Sequence, residues 1–208
     1  MTPLQHFDAV WSRCDQLSTL HAYLERNVAG VLQPGELLRS EWVARVSALD
    51  LYVHELVAQS MLDIFEGRRP TCPAYLRFRL STDTVHRIQR ASSASDARAA
   101  FDLDVRNHLS QITYQFPDDI AEGVRLCSSI ELWNEVALAL GASPATKTKD
   151  AKDLKTRLSL VVRRRNAIAH EGDLQQTPIR EPWPISRADL TFVRDEIGRL
   201  VRVMDTLV

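Results

Sequence analysis

The stretch Val161–Gly172, VVRRRNAIAHEG, decides how the rest of the chain is read. Upstream of it Leu154, Leu158 and Val161, and then Ile168 within it, form an apolar row spaced 4, 3 and 7, which predicts a helix. Arg165 falls in the gap of that row, where the pattern calls for an apolar side chain. A guanidinium among core positions must be paired or aimed at something anionic, because an unpaired buried charge is very costly. Gly172 stops the helix, so His170 lies in its last turn. There a histidine can be a plain C-terminal cap or a reactive group facing a ligand.

The order Arg165-Asn166-x-x-x-His170 before a glycine stop resembles the Arg-x4-His signature of the HEPN superfamily. The wording RRNAIAHEGD is most similar to the RiboL-PSP-HEPN branch of stand-alone bacterial proteins and defence loci. The specific match covers about 130–173, with weaker similarity in the helix around 42–62. What the resemblance implies is an all-α, HEPN-like bundle of antiparallel helices with additional short ones. It also implies a metal-independent endoribonuclease and a homodimer whose motif helices face each other across a composite cleft. An antitoxin or a defence-system protein is the further partner it suggests, with toxin–antitoxin or antiviral defence as the setting. HEPN toxins neutralised by nucleotidyltransferases often carry a tyrosine two residues after the histidine. Here Gly172 stands at that place, which speaks against that mode of control.

Elementary chemistry assigns the roles. Cutting RNA at its own 2′-OH needs a proton acceptor there, a cation for the charge growing on phosphorus and a proton donor for the leaving 5′-oxygen. His170 is the motif group that exchanges protons near neutral pH. Its acid or base role stays open, although the helix C-terminus favours the imidazolium. Arg165 is the electrostatic clamp, since its fork matches phosphate oxygens. Asn166, one turn before His170, orients imidazole or substrate. Arg165 and His170 are about 140° apart around a straight helix, so either the helix distorts or a second copy completes the site. Ala167 and Ala169 are small enough to admit that copy closely. On the second helix Asp50 is the candidate supporting residue, ahead of His54 and Glu55; its alternative role is a structural salt bridge to Arg165.

The charge distribution points the same way. Between Lys147 and Arg165 eight basic residues face two acidic ones, +6, while the remainder of the chain carries −7. This places a positive field beside the motif, with Lys152, Lys155, Arg163 and Arg164 as candidate RNA contacts. A solvated helix face is the plain alternative. A non-catalytic module that binds RNA or a protein through this helix is the rival function.

Length and composition, with 45% hydrophobic and 25% charged residues, suit one ordinary globular domain over 1–208. No apolar run approaches the roughly 18 residues that span a bilayer, and the first residues lack a signal-peptide layout, so a cytoplasmic protein without membrane contact is expected. Cys14, Cys72 and Cys127 are too scattered for a disulfide framework or zinc site, and His6, His21, His54, His86 and His108 show no metal-ligand spacing. No metal or cofactor is therefore expected.

Working outward, helices are predicted over 4–29, from a Ser40 cap to about Phe65, from Ser81, and from a Ser95 cap towards Gln115. Others follow from Pro117, over Ile130–Leu140, over about 148–171, and from a Ser186 cap over 187–207. Thr71–Leu80 reads as a loop, and the proline-rich 175–186 as an extended connection in which Trp183 can serve as an anchor.

Overall fold

The computed structural model describes residues 1–28 and 34–208. Among them are eight α-helices: α1 (Pro3–Asn27), α2 (Gly35–Phe65), α3 (Thr82–Gln89), α4 (Ala94–Leu109), α5 (Pro117–Arg125), α6 (Leu132–Ala139), α7 (Lys147–Glu171) and α8 (Arg187–Leu207). The expected all-α bundle is what the chain forms. The expected end of the first helix at residue 29 lies outside the described residues.

The organising element is α2, which packs against α1, α4, α5, α7 and α8. Leu38, Trp42, Val46, Leu49, Val53 and Leu56 are buried on one side, and Ala48, Tyr52, Ala58 and Met61 extend the burial round the helix. A helix apolar around most of its circumference belongs at the centre of a bundle.

Side-chain contacts set the directions. Asp15 meets Arg45 and Phe7 meets Tyr52, so α1 runs antiparallel to α2. Trp42 meets Val161 and Arg39 meets Asp173, so α7 does too. Tyr52 meets Asp205, and Arg39 meets Trp183 just ahead of α8, so α8 runs parallel to α2. The short helices α3–α6 fill the excursion between α2 and α7.

Local signals place most boundaries. Ser81 accepts the amide of Thr84, Pro117 opens α5, and Ser186 closes a capping box with Asp189. Three expectations are corrected. First, α2 begins at Gly35, a turn before Ser40, because Leu38 is buried and Arg39 is held by Glu36 and Asp173. Second, Ser93 caps α4 in place of Ser95: its hydroxyl accepts the Asp96 amide, and Ser92 and Ser93 both donate to the Asp96 carboxylate. Third, α4 stops at Leu109, well before Gln115. His54 engages the carbonyls of Leu109 and Ile112, while Asp50 accepts the Tyr114 amide and the Gln115 side chain. Tertiary partners thus take the backbone groups that a longer helix would have used.

The connection after α7 is a strap folded back on itself. Leu174 bridges Pro182, the Gln175 amide donates to Glu181 at 2.9 Å, and the Trp183 amide donates to the Asp173 carbonyl at 2.7 Å. No helix among the described residues is long and apolar enough to cross a membrane.

Candidate functional site

The long helix α7 buries Ala151, Leu158, Val161 and Val162. Arg165 lies seven residues beyond Leu158 and four beyond Val161, so it continues that inner side, as the apolar row predicts. It is half-buried, its Nη1 donates to Asn166 Oδ1 at 2.9 Å, and its buried Nε meets no partner among the described residues. No carboxylate pairs with it in that set.

The indole of Trp42 on α2 donates to the Val161 carbonyl at 3.0 Å. In an i→i−4 ladder that carbonyl also receives the Arg165 amide. Trp42, buried in the core, therefore also sets the register of the motif against it.

His170 occupies the last turn, exposed, and no described group hydrogen-bonds it. Asn166 stands one turn earlier on its face, and Ala169 beside it is exposed. The helix runs unbroken to Glu171, so the helical distortion entertained from the sequence does not occur, and Arg165 and His170 keep their angular separation of about 140°.

What stops the helix is more elaborate than a glycine. Gly172 and Asp173 both have left-handed backbones, φ 67° and 56°, and both amides turn back to the Ala167 carbonyl. A non-glycine residue held there costs of order 1 kcal/mol, and Asp173 is held by charge. Its carboxylate, 1% exposed, accepts Arg39 Nε at 3.0 Å and Arg164 Nη2 at 3.3 Å through the same oxygen. Arg164 also donates to the Pro184 carbonyl at 2.6 Å and lies 5.1 Å over the Trp42 ring; Arg39 donates to the Trp183 carbonyl at 2.6 Å.

This clasp spans the motif, from the residue before Arg165 to the third after His170. It corrects the reading of Arg164 as an RNA contact, since that guanidinium is committed to structure. Arg39 and Asp173 were missed as parts of the site. An acid directly after a helix-stopping glycine beside an arginine run is a signal for Asp173; nothing local marks Arg39.

Asp50 is corrected as well. It neither pairs with Arg165 nor faces the motif: its oxygens accept the Tyr114 amide at 2.6 Å and Gln115 Nε2 at 3.0 Å, and lie 3.4 Å from His54 Nδ1. Two turns of α2 separate it from Trp42. The other two candidates on α2 are also engaged away from the motif, His54 with Asp50 and Glu55 with Arg106.

Lys152 and Arg163 are exposed, and Lys155 is half-buried with Nζ 2.6 Å from an Asp118 oxygen. At 100° per residue, Lys152, Lys155, Arg163, Asn166 and His170 share an arc of about 80° on the outer side of α7. The arrangement thus divides the basic helix. Arg164 anchors it, and its outer cations line up with the imidazole.

A helical bundle carrying Arg-Asn-x-x-x-His on the exposed end of a core helix defines a HEPN-superfamily domain. More narrowly, the chain belongs to the RiboL-PSP-HEPN family, whose family model matches residues 10–208. Neither a curated protein nor a solved structure matches it.

Proposed function

We propose that the chain is a metal-independent endoribonuclease. The observation that carries this reading is His170: a solvent-facing imidazole without a protein partner among the described residues, on one stripe with Asn166 and outward-facing cations. In the proposed reaction the substrate 2′-oxygen attacks the adjacent phosphorus and the bond to the 5′-oxygen breaks. The 2′-OH loses a proton and the departing oxygen gains one, leaving a 2′,3′-cyclic phosphate and a 5′-OH. His170 carries out one of these transfers and Arg165 neutralises the charge that develops on phosphate. Lys152, Lys155 and Arg163 raise the local RNA concentration.

The angle between Arg165 and His170 supports a composite site in a homodimer. One straight helix does not aim both side chains at a single phosphorus, whereas a second copy approaching over Ala167 and Ala169 supplies the missing group. A toxin or phage-defence effector, held in check by an antitoxin or another partner protein in the cytoplasm, is the biological role that goes with this chemistry. Growth arrest on expression that disappears with His170→Ala supports it; unhindered growth with the unaltered protein counts against it.

The rival is a non-catalytic RNA- or protein-binding module. The bond from Arg165 to Asn166 favours it, because the clamp is then occupied within its own chain. A labelled single-stranded RNA incubated in EDTA separates the two. Cleavage by the unaltered protein, lost in Arg165→Ala and His170→Ala and ending in cyclic phosphate, supports the nuclease. Equal RNA binding by all three proteins without cleavage establishes the module.

A further inference from the structure

The outer stripe of α7 is one wall of a groove that the motif does not explain. Its volume is about 530 Å³, and its opposite wall comes from α5, α6 and the turn between them. From α7 it takes Lys152, Lys155, Ser159 and Arg163, and from the other wall Arg125 and Asn134. Between these polar rims Ile130 and Leu160 supply accessible apolar surface over the buried Leu132 and Ala121, and Leu160 is 58% exposed.

The charge in the groove is uneven. Four cations, Arg125, Lys152, Lys155 and Arg163, outnumber the two carboxylates of Asp118 and Glu131. Lys155 is held by Asp118, but that carboxylate is itself 81% exposed. A pair so open to water contributes little, so a phosphate can displace Asp118 at little cost.

The groove also has a direction. Ser159 and Arg163 lie on the arc that carries Asn166 and His170, and His170 is seven residues past Arg163, about 10 Å further along the helix. A ligand in the groove is therefore led to the imidazole. Cationic rims over an apolar floor suit a strand whose bases are unstacked. A duplex keeps its bases stacked inside and leaves such a floor unused.

We propose that this groove is the track for single-stranded RNA on one side of the cut, with phosphates on Arg125, Lys152, Lys155 and Arg163 and a base against Leu160 and Ile130. The proposal rests on His170 being the cleaving group, and binding tests it apart from cleavage.

The measurement is salt-dependent affinity for a short fluorescent single-stranded RNA and its fully paired duplex, in the His170→Ala background so that nothing is cut. Three groove substitutions together, Arg125→Gln, Lys152→Gln and Arg163→Gln, are expected to weaken single-strand binding about 10- to 100-fold. They should also flatten the slope of log K against log salt by about 0.7 per lost contact. Leu160→Ser should weaken the single strand and leave duplex binding unchanged. Lys149→Gln with Arg199→Gln, which removes charge outside the groove, should leave the slope within about one contact's worth of the parent.

A triple groove variant with the parent slope, or a Leu160→Ser variant that loses no single-strand affinity, overturns the track. So does preferential binding of an acidic peptide that RNA cannot displace, which makes the groove a protein-docking site. If the groove variants lose RNA as expected but the His170-intact protein cuts nothing, the nuclease reading fails and the groove stands as an RNA-binding site alone. In an active enzyme the same groove variants should raise KM with kcat unchanged.

Discussion

Two histidines of this protein sit in opposite situations. His54 has an acceptor on every side: Nδ1 lies 2.8 Å from the Asp50 carbonyl and 3.4 Å from its carboxylate, and Nε2 lies 3.1 and 3.2 Å from the carbonyls of Leu109 and Ile112. Only the doubly protonated ring can donate to both sides. Burial opposes that charge, but the hydrogen bond and charge of Asp50 outweigh it and raise the pKa to about 9. His170 is exposed, with no described partner. A ring satisfied on both sides works as a structural staple. A ring left free at the end of a basic stripe has its nitrogens open to a ligand. The contrast teaches that a histidine's role is read from what its two nitrogens touch.

The sharpest way to break the contrast is to remove each ring. His170→Ala should lower RNA cleavage about 10²- to 10⁴-fold while urea denaturation shifts by no more than about 0.5 kcal/mol. If instead the fold melts with little specific loss of cleavage, His170 is a cap.

Asp50→Ala should do the reverse. It leaves the Tyr114 amide, Gln115 and the His54 imidazolium without their acceptor, at about 3 kcal/mol of unfolding free energy, with cleavage per folded molecule retained. Cleavage lost as deeply as in His170→Ala would return Asp50 to the active machinery.

Asp173→Asn sharpens the comparison between the anchored and free sides of α7. Asparagine tolerates the left-handed backbone, so the change isolates the loss of charge opposite Arg39 and Arg164, expected to cost about 2 kcal/mol. Chemical denaturation reads it, and a change below about 0.5 kcal/mol would show that the clasp contributes nothing.

The smallest effect is one of pH. The folded pKa of His54 lies above its unfolded value of about 6.5. Stability from its charge is therefore complete below about pH 6.5 and drains away as pH rises through about 9. Discounted for partial exposure, the loss is on the order of 1 kcal/mol, and His54→Gln should abolish this pH dependence. Asp50 titrates oppositely. Burial alone would raise its pKa, but His54, Gln115 and the Tyr114 amide together lower it, so its contribution fades as pH falls below the ordinary carboxylate range.

Much of the helix inventory was legible because its causes are local. Apolar spacing, Pro117 at a first turn, the Ser81 and Ser186 caps and the Gly172 stop each act within a few residues. The misplaced starts of α2 and α4 have two different sources. At Gly35 and at Ser93 the deciding contacts lie with distant Asp173 or with a competing cap, and serines at 40 and 95 looked equally suitable. Glu41 and Arg45 show a related limit. Both are fully buried, paired with each other and tied to Asp15 and Ser18 on α1, although a charged pair four apart reads as a surface feature.

By itself the sequence determined that the protein is helical, that one helix is basic, and that Arg165, Asn166 and His170 belong to one motif before a stop. Periodicity and caps depend on neighbours along the chain, so they can be read there. Tertiary structure alone decided which of three consecutive arginines is free. Arg164 is tied to Asp173, Arg165 turns inward and Arg163 faces the groove, although all three have the same chemistry. Successive residues on a helix point about 100° apart, and only the partners brought in by α2 and the strap distinguish an anchor from a binding group.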